Sequence, residues 1–89
     1  MLLKSVNLDE LRRHALYSKG LGNLQHGTLV FFLVTRENTG FCVWRVDCLD
    51  GVVPPGGQVL GYFSEREEAL EKAVDAVVQE KVALYGTQV

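Results

Sequence analysis

Apolar residues repeat along the chain at two different intervals, and the shorter interval, of two residues, predicts three β-strands. Apolar side chains recur at every second position, or without a break, over about 28–36, 41–49 and 58–63, as is typical of strands. The turn at residues 37–40 is short, and the proline–glycine segment at 50–57 excludes regular structure. Short connections favour an antiparallel meander of these three strands.

Helical spacing appears before the first strand. Leu8, Leu11 and Ala15 repeat at intervals of three and four residues, which predicts a helix over about 7–19. Gly20 follows this stretch and is the type of residue that commonly ends a helix.

A second helix is predicted over about 64–85. Ser64 is its expected N-cap, with Glu67 completing a capping box, and Gly86 stands just beyond its end. The side chains of its expected apolar face are Leu70, Ala73, Val74, Val77, Leu84 and Tyr85, widened by Val78 and Val82.

These elements predict one α+β domain spanning residues 1–89. A chain of 89 residues is long enough for a single domain with a modest core. We expect the order helix–strand–strand–strand–helix, with a three-stranded antiparallel sheet and both helices on one face.

Alternation sorts the strand side chains into two faces. Cys42, Trp44 and Val46 form an apolar row that we expect to meet the helices, with Trp44 buried. The first strand is apolar on both faces, so we assign Phe31 to the helix side and Phe32 to the other. That other face needs a cover of its own: the proline–glycine loop, the chain ends, a second copy or another protein.

A large apolar patch on a soluble protein usually marks an interaction site. We therefore expect the second sheet face to bind a protein partner or a second copy, as a homodimer, with two arginines at its rim. The predicted partner-binding residues are Val30, Phe32, Val34, Arg36, Phe41, Val43, Arg45, Leu60 and Tyr62. The alternative is a nucleic-acid-binding module that uses the same face and the basic first helix.

Two family resemblances bear on that alternative. Leu60-Gly61-Tyr62-Phe63-Ser64, then Glu67-Glu68-Ala69 and Ala73, resembles the strand-to-helix step of plant ethylene-response-factor-type DNA-binding domains. Those domains read DNA from the sheet with arginines and tryptophans, whereas Trp44 falls on the expected core face here. The element order is also similar to the double-stranded-RNA-binding domain. Its last helix begins with lysines where this chain has acids that would repel phosphate. Neither resemblance carries a specific motif, and we assign the chain to neither family.

Composition and net charge argue against two classes of protein: intrinsically disordered chains and generally basic nucleic-acid binders. The hydrophobic fraction is 47% and the charged fraction 22%, which argues against intrinsic disorder. The net charge is −2 and the pI about 5.6, which argues against a generally basic nucleic-acid binder.

The sequence predicts no catalytic, metal or cofactor site. His14 and His26 are its two histidines, and neither has a nucleophile or acid at a catalytic spacing. The motif C-x-x-C does not occur, so a zinc site is not expected. Cys42 and Cys48 would lie roughly 20 Å apart along one strand, too far for a disulfide, so both are expected as thiols. We therefore expect a protein that is not an enzyme.

The apolar runs of the chain are too short for a signal peptide or a membrane span. Residues 1–6 do not form an apolar signal region, and the longest apolar run, residues 29–34, cannot cross a bilayer. We expect a cytoplasmic protein that does not bind membranes.

Overall fold

A computed structural model describes residues 3–4, 8–23, 28–49 and 57–86 of the chain. The elements in this part of the chain are β1 (Leu3–Lys4), α1 (Leu8–His14), β2 (Tyr17–Asn23), β3 (Thr28–Glu37), β4 (Gly40–Leu49), β5 (Gly57–Phe63) and α2 (Arg66–Tyr85).

Within the described residues, five strands form one antiparallel sheet in the order β1-β5-β4-β3-β2. The α+β class with an antiparallel sheet and two helices is confirmed. The expected count of three strands is wrong, because β1 and β2 add a strand at each edge. The predicted strands correspond closely to β3, β4 and β5.

β2 occupies the segment where the sequence predicted the end of the first helix. The helix stops at His14, and β2 pairs with β3 over seven positions. Tyr17 and Leu21 pack on one face of the sheet, and Gly20 lies against the Phe31 ring on the other. A Cβ at position 20 would lie 2.8 Å from Cε1 of Phe31, so this glycine allows a close approach and does not cap a helix.

The two helices cover opposite faces of the sheet, so the prediction that they share a face is wrong. Leu11 in α1 and Ala15 just after it pack on one side, which we call the α1 face. α2 packs on the other side, the α2 face. β3 is apolar on both faces, and each face is buried by a different helix. The buried residues of the α1 face are Phe31, Leu33, Cys42, Trp44, Val46 and Val59.

In the described part of the α1 face, two buried polar side-chain groups are hydrogen-bonded to each other. Nε1 of Trp44 donates to Oγ1 of Thr35 over 2.8 Å, and both side chains are buried. The Thr35 hydroxyl donates in turn to the Glu37 carboxylate over 3.3 Å. The predicted burial of Trp44 is confirmed. Cys42 is also buried, whereas the side chain of Cys48 lies outside the described part of the structure.

A register shift in the β4–β5 ladder changes which β5 side chains face α2. Val43 pairs with Gly61 but the next residue, Trp44, pairs with Val59, so Leu60 is an extra residue in β5. Leu60 packs on the α2 face, and Val59 is buried on the α1 face. The regular alternation that the sequence predicted for this strand is therefore interrupted.

α2 begins two residues after the predicted start and ends at Tyr85, as predicted. It starts at Arg66, and the N-cap is Glu65 in an extended conformation without a side-chain capping hydrogen bond, so the predicted Ser64 cap is wrong. Gly86 ends the helix, as predicted. It has a φ of 80°, which favours glycine, and its N–H donates to the carbonyl of Val82 over 2.9 Å.

Candidate interaction surface

The sheet face that was expected to be open is covered by α2. Val34 and Val43 form one buried cluster with Ala69 and Ala73 of the helix. The expectation of an open apolar face is therefore wrong, because the C-terminal helix of the same chain supplies the cover. The four central residues of the predicted site are fully or almost fully buried: Val30, Phe32, Val34 and Val43.

The remaining five predicted residues lie around this core and do not form one surface. Phe41 and Leu60 are half-buried against the α2-side clusters, and the Arg36 guanidinium lies 5.5 Å from the centre of the Phe41 ring. Tyr62 pairs with Cys42, which belongs to the α1 face. The side chain of Tyr62 is exposed. Leu60 and Tyr62 were expected to share a face, and the register shift separates them.

Arg45 connects the sheet to α2. Its Nη1 donates to Oε1 of Glu80 over 2.7 Å, and its Nη2 donates to Oδ1 of Asp47 over 3.2 Å. The guanidinium also lies 5.6 Å from the centre of the Phe32 ring. Burial by itself lowers the pKa of Arg45, but hydrogen bonds and negative charges from Asp47 and Glu80 outweigh it and raise that pKa. Arg45 thus anchors α2 and is not the expected rim residue.

α2 carries a second apolar surface on the side turned away from the sheet. Its inner face uses Ala69, Ala73 and Val77, all of them buried. On the outside, three valines at four-residue intervals form a continuous row along the helix. We call Val74, Val78 and Val82 the outer valine row; they are 47%, 53% and 48% exposed.

The outer valine row was not predicted as a site, although the sequence contained its signal. Val74, Val78 and Val82 were all assigned to the inner face of the helix. At 3.6 residues per turn, however, this row lies almost opposite Ala69 and Ala73. The mistake came from assigning all four valines of the helix to one face, whereas Val77 alone among them is buried with the alanines against the sheet.

Two charged residues of α2 flank Val74 and Val78 on its outer surface. Glu71 precedes Val74 by three positions, and Lys81 follows Val78 by three; both are exposed. Residues 71, 74, 78 and 81 therefore repeat at intervals of three, four and three, which is the spacing of a helix–helix contact seam. We call these four residues the outer seam.

A hollow of about 160 Å³ lies beside the β3–β4 turn and the end of β5, between Glu37, Phe41 and Phe63. Typical ligand pockets occupy roughly 300–1,000 Å³. Among the described residues there is also no group of three or more His, Cys, Asp or Glu side chains that could hold a metal ion.

None of the helices in the described part of the chain combines the length and the apolar content that a membrane span requires. Comparison with protein-family models, with curated proteins and with solved structures finds no match to this chain.

Proposed function

We propose that this chain is a small, non-enzymatic protein–protein interaction module that forms homodimers through the outer valine row of α2. The observation that supports the proposal is the exposure of about half of each of three aligned valines, on a helix whose inner face is already packed. The proposal keeps the homodimer and the cytoplasmic location expected from the sequence and moves the contact from the sheet to the helix.

About half of each of these valine side chains stays in contact with water in a single copy of the chain. Valine is a weaker helix former than alanine, lysine or glutamate, because its branched side chain loses rotamer freedom against the preceding turn. Exposed helix positions in soluble domains usually carry polar residues. A contact that buries Val74, Val78 and Val82 would offset this cost, since apolar area removed from water stabilises by about 25 cal/mol per Å².

A second copy fits this row because identical rows match in length and chemistry. Val74 and Val82 are about 12 Å apart along the helix axis, so two crossing helices bring the same short apolar stretch together. One pair of helices makes an interface at the low end of specific complexes. We therefore expect a monomer–dimer equilibrium that depends on protein concentration.

Sedimentation equilibrium from micromolar to millimolar protein tests the proposal. The wild-type chain is expected to shift from monomer to dimer over this range. Val78→Lys is expected to remain monomeric, because it places a charge in the middle of the row. Lysine is a good helix former, and Val78 is more than half exposed, so the variant should retain its fold by circular dichroism.

Gln79→Lys is the matched control. It introduces the same charge at the next position of the same helix, on a face turned about 100° from Val78. Its dimerisation should resemble that of the wild-type chain. A wild-type chain that stays monomeric at millimolar concentration, or equal effects of the two substitutions, would overturn the proposal.

A further inference from the structure

We infer that the two copies pair with their α2 helices antiparallel, with Glu71 of each copy facing Lys81 of the other. This inference rests on the proposed homodimer and specifies the orientation and the polar contacts of that surface around Val74 and Val78. It follows from the spacing and the charges of the outer seam, namely Glu71, Val74, Val78 and Lys81, of which Glu71 and Lys81 are exposed and the two valines about half exposed.

The seam has its charges at the two ends and its valines in the middle. Glu71 and Lys81 are ten residues apart, or about 15 Å along the helix. The four positions follow the three–four–three spacing by which side chains of one helix pack between those of a neighbour. A partner helix lying along this seam would therefore meet an acid, two valines and a base in that order.

An identical helix running in the opposite direction complements this order. The position halfway between Glu71 and Lys81 is Ala76, and the position halfway between Val74 and Val78 is also Ala76. One two-fold axis at this level therefore brings Val74 against Val78 of the other copy and Glu71 against Lys81 of the other copy. Such an interface is isologous, so each of these contacts occurs twice.

The parallel arrangement is disfavoured by the same charges. It would place the two Glu71 side chains side by side at one end, and the two Lys81 side chains at the other. Like charges in this position are destabilising, whereas opposite charges in an exposed pair contribute about 0.2–1 kcal/mol. The charge pattern also favours a second copy over an unrelated protein, because one short surface contains both members of each ion pair.

Charge reversal at the two ends of the seam tests the inference. In the antiparallel dimer, Glu71→Lys sets Lys against Lys81 twice, and Lys81→Glu sets Glu against Glu71 twice. Each variant alone is expected to raise the Kd of its homodimer by about tenfold, which corresponds to about 1.4 kcal/mol. The double variant Glu71→Lys/Lys81→Glu exchanges the charges and is expected to recover most of the wild-type affinity.

A mixture of the two single variants provides a second readout. Each heterodimer then contains two attractive pairs, so it should form more tightly than either homodimer. Glu68→Lys and Lys72→Glu are the controls, since they make the same charge changes at exposed positions of α2 outside the seam. They should leave the Kd within about twofold of wild type, in keeping with the small contribution of exposed charges.

The outcomes separate this inference from the proposed function. A wild-type chain that does not dimerise removes the homodimer itself. A dimer that needs Val78 but responds equally to seam and control charge reversals overturns the antiparallel pairing and leaves the homodimer in place. Weaker single variants that the double variant fails to restore also overturn it, because the predicted cross-pairs are then not formed.

Discussion

Phe31 and Phe32 are consecutive in β3 but belong to two separate hydrophobic cores on opposite faces of the sheet. Phe31 packs with Trp44 on the α1 face, whereas Phe32 packs with Val77 of α2 on the other face. Their exposed fractions are 8% and 1%. One strand therefore joins two cores, and each core depends on a different helix.

Both phenylalanines are expected to be essential for stability. Phe31→Ala and Phe32→Ala should each lower the free energy of unfolding by about 3–5 kcal/mol, because each substitution leaves a cavity in a packed core. The sequence placed Phe32 on the expected partner-binding face, but the structure buries it under α2, so its loss should cost as much as that of Phe31. Urea denaturation measures both values.

Leu29→Ala is the control for this pair. Leu29 lies in the same strand but is 39% exposed, so its substitution should cost clearly less than either phenylalanine substitution. A loss below about 1 kcal/mol for Phe32→Ala would mean that α2 does not cover its face of the sheet.

The Arg45–Glu80 pair is expected to hold α2 against β4. Glu80→Gln removes the negative charge 2.7 Å from the Arg45 guanidinium, at a carboxylate that is only 15% exposed. We expect a loss of about 1–2 kcal/mol in the free energy of unfolding, roughly the difference between a hydrogen bond to a charged group and one to a neutral group. Thermal or urea denaturation of the variant provides the measurement.

Asp47→Asn is the matched comparison for Glu80→Gln. Asp47 contacts the same guanidinium, but its side chain is 59% exposed, so its loss should cost no more than about 0.5 kcal/mol. Equal losses for the two variants would show that Glu80 does not join α2 to the sheet more strongly than a surface pair does.

We expect position 20 to need glycine for full stability, because the Phe31 ring packs directly against it. In most exposed strand positions a change from glycine to alanine is favourable or neutral, since glycine loses more backbone entropy on folding. Gly20→Ala should instead destabilise by about 1–3 kcal/mol, because its Cβ would crowd Cε1 of Phe31. The sign of the change in unfolding free energy therefore tests the contact.

Two further variants isolate this effect. Ser18→Ala, at an exposed position of the same strand, should be nearly neutral. In the double variant Gly20→Ala/Phe31→Leu, the alanine should cost less than it does beside phenylalanine, since the smaller side chain relieves the crowding. Strictly additive losses would contradict the proposed close contact.

The sequence by itself determined the elements whose hydrophobic period is long and unambiguous. The alternation of apolar residues located β3, β4 and β5 and placed Phe31 and Phe32 on opposite faces. The helical period located α2, and Gly86 marked its end. These predictions depend on the geometry of a single strand or helix, in which the side-chain direction follows from position alone.

The predicted partner-binding residues show where such local reasoning stops. Alternation correctly put Val30, Phe32, Val34 and Val43 on one apolar face. The residue pattern of a strand, however, does not indicate which segment or molecule packs against that face. The same residues serve a partner-binding face or an internal core, and only the position of α2 decides between them. The outer valine row became visible for the same reason, once Ala69 and Ala73 were seen to contact the sheet.

Tertiary structure also decided the elements that have a weak local signal. β2 contains two glycines and a lysine, and it becomes a strand because β3 supplies its hydrogen-bond partners and Tyr17 and Leu21 pack on the α2 face. The opposite placement of the helices and the register shift beside Leu60 likewise follow from long-range packing. Each depends on contacts between segments distant in the chain, which no local period of apolar residues encodes.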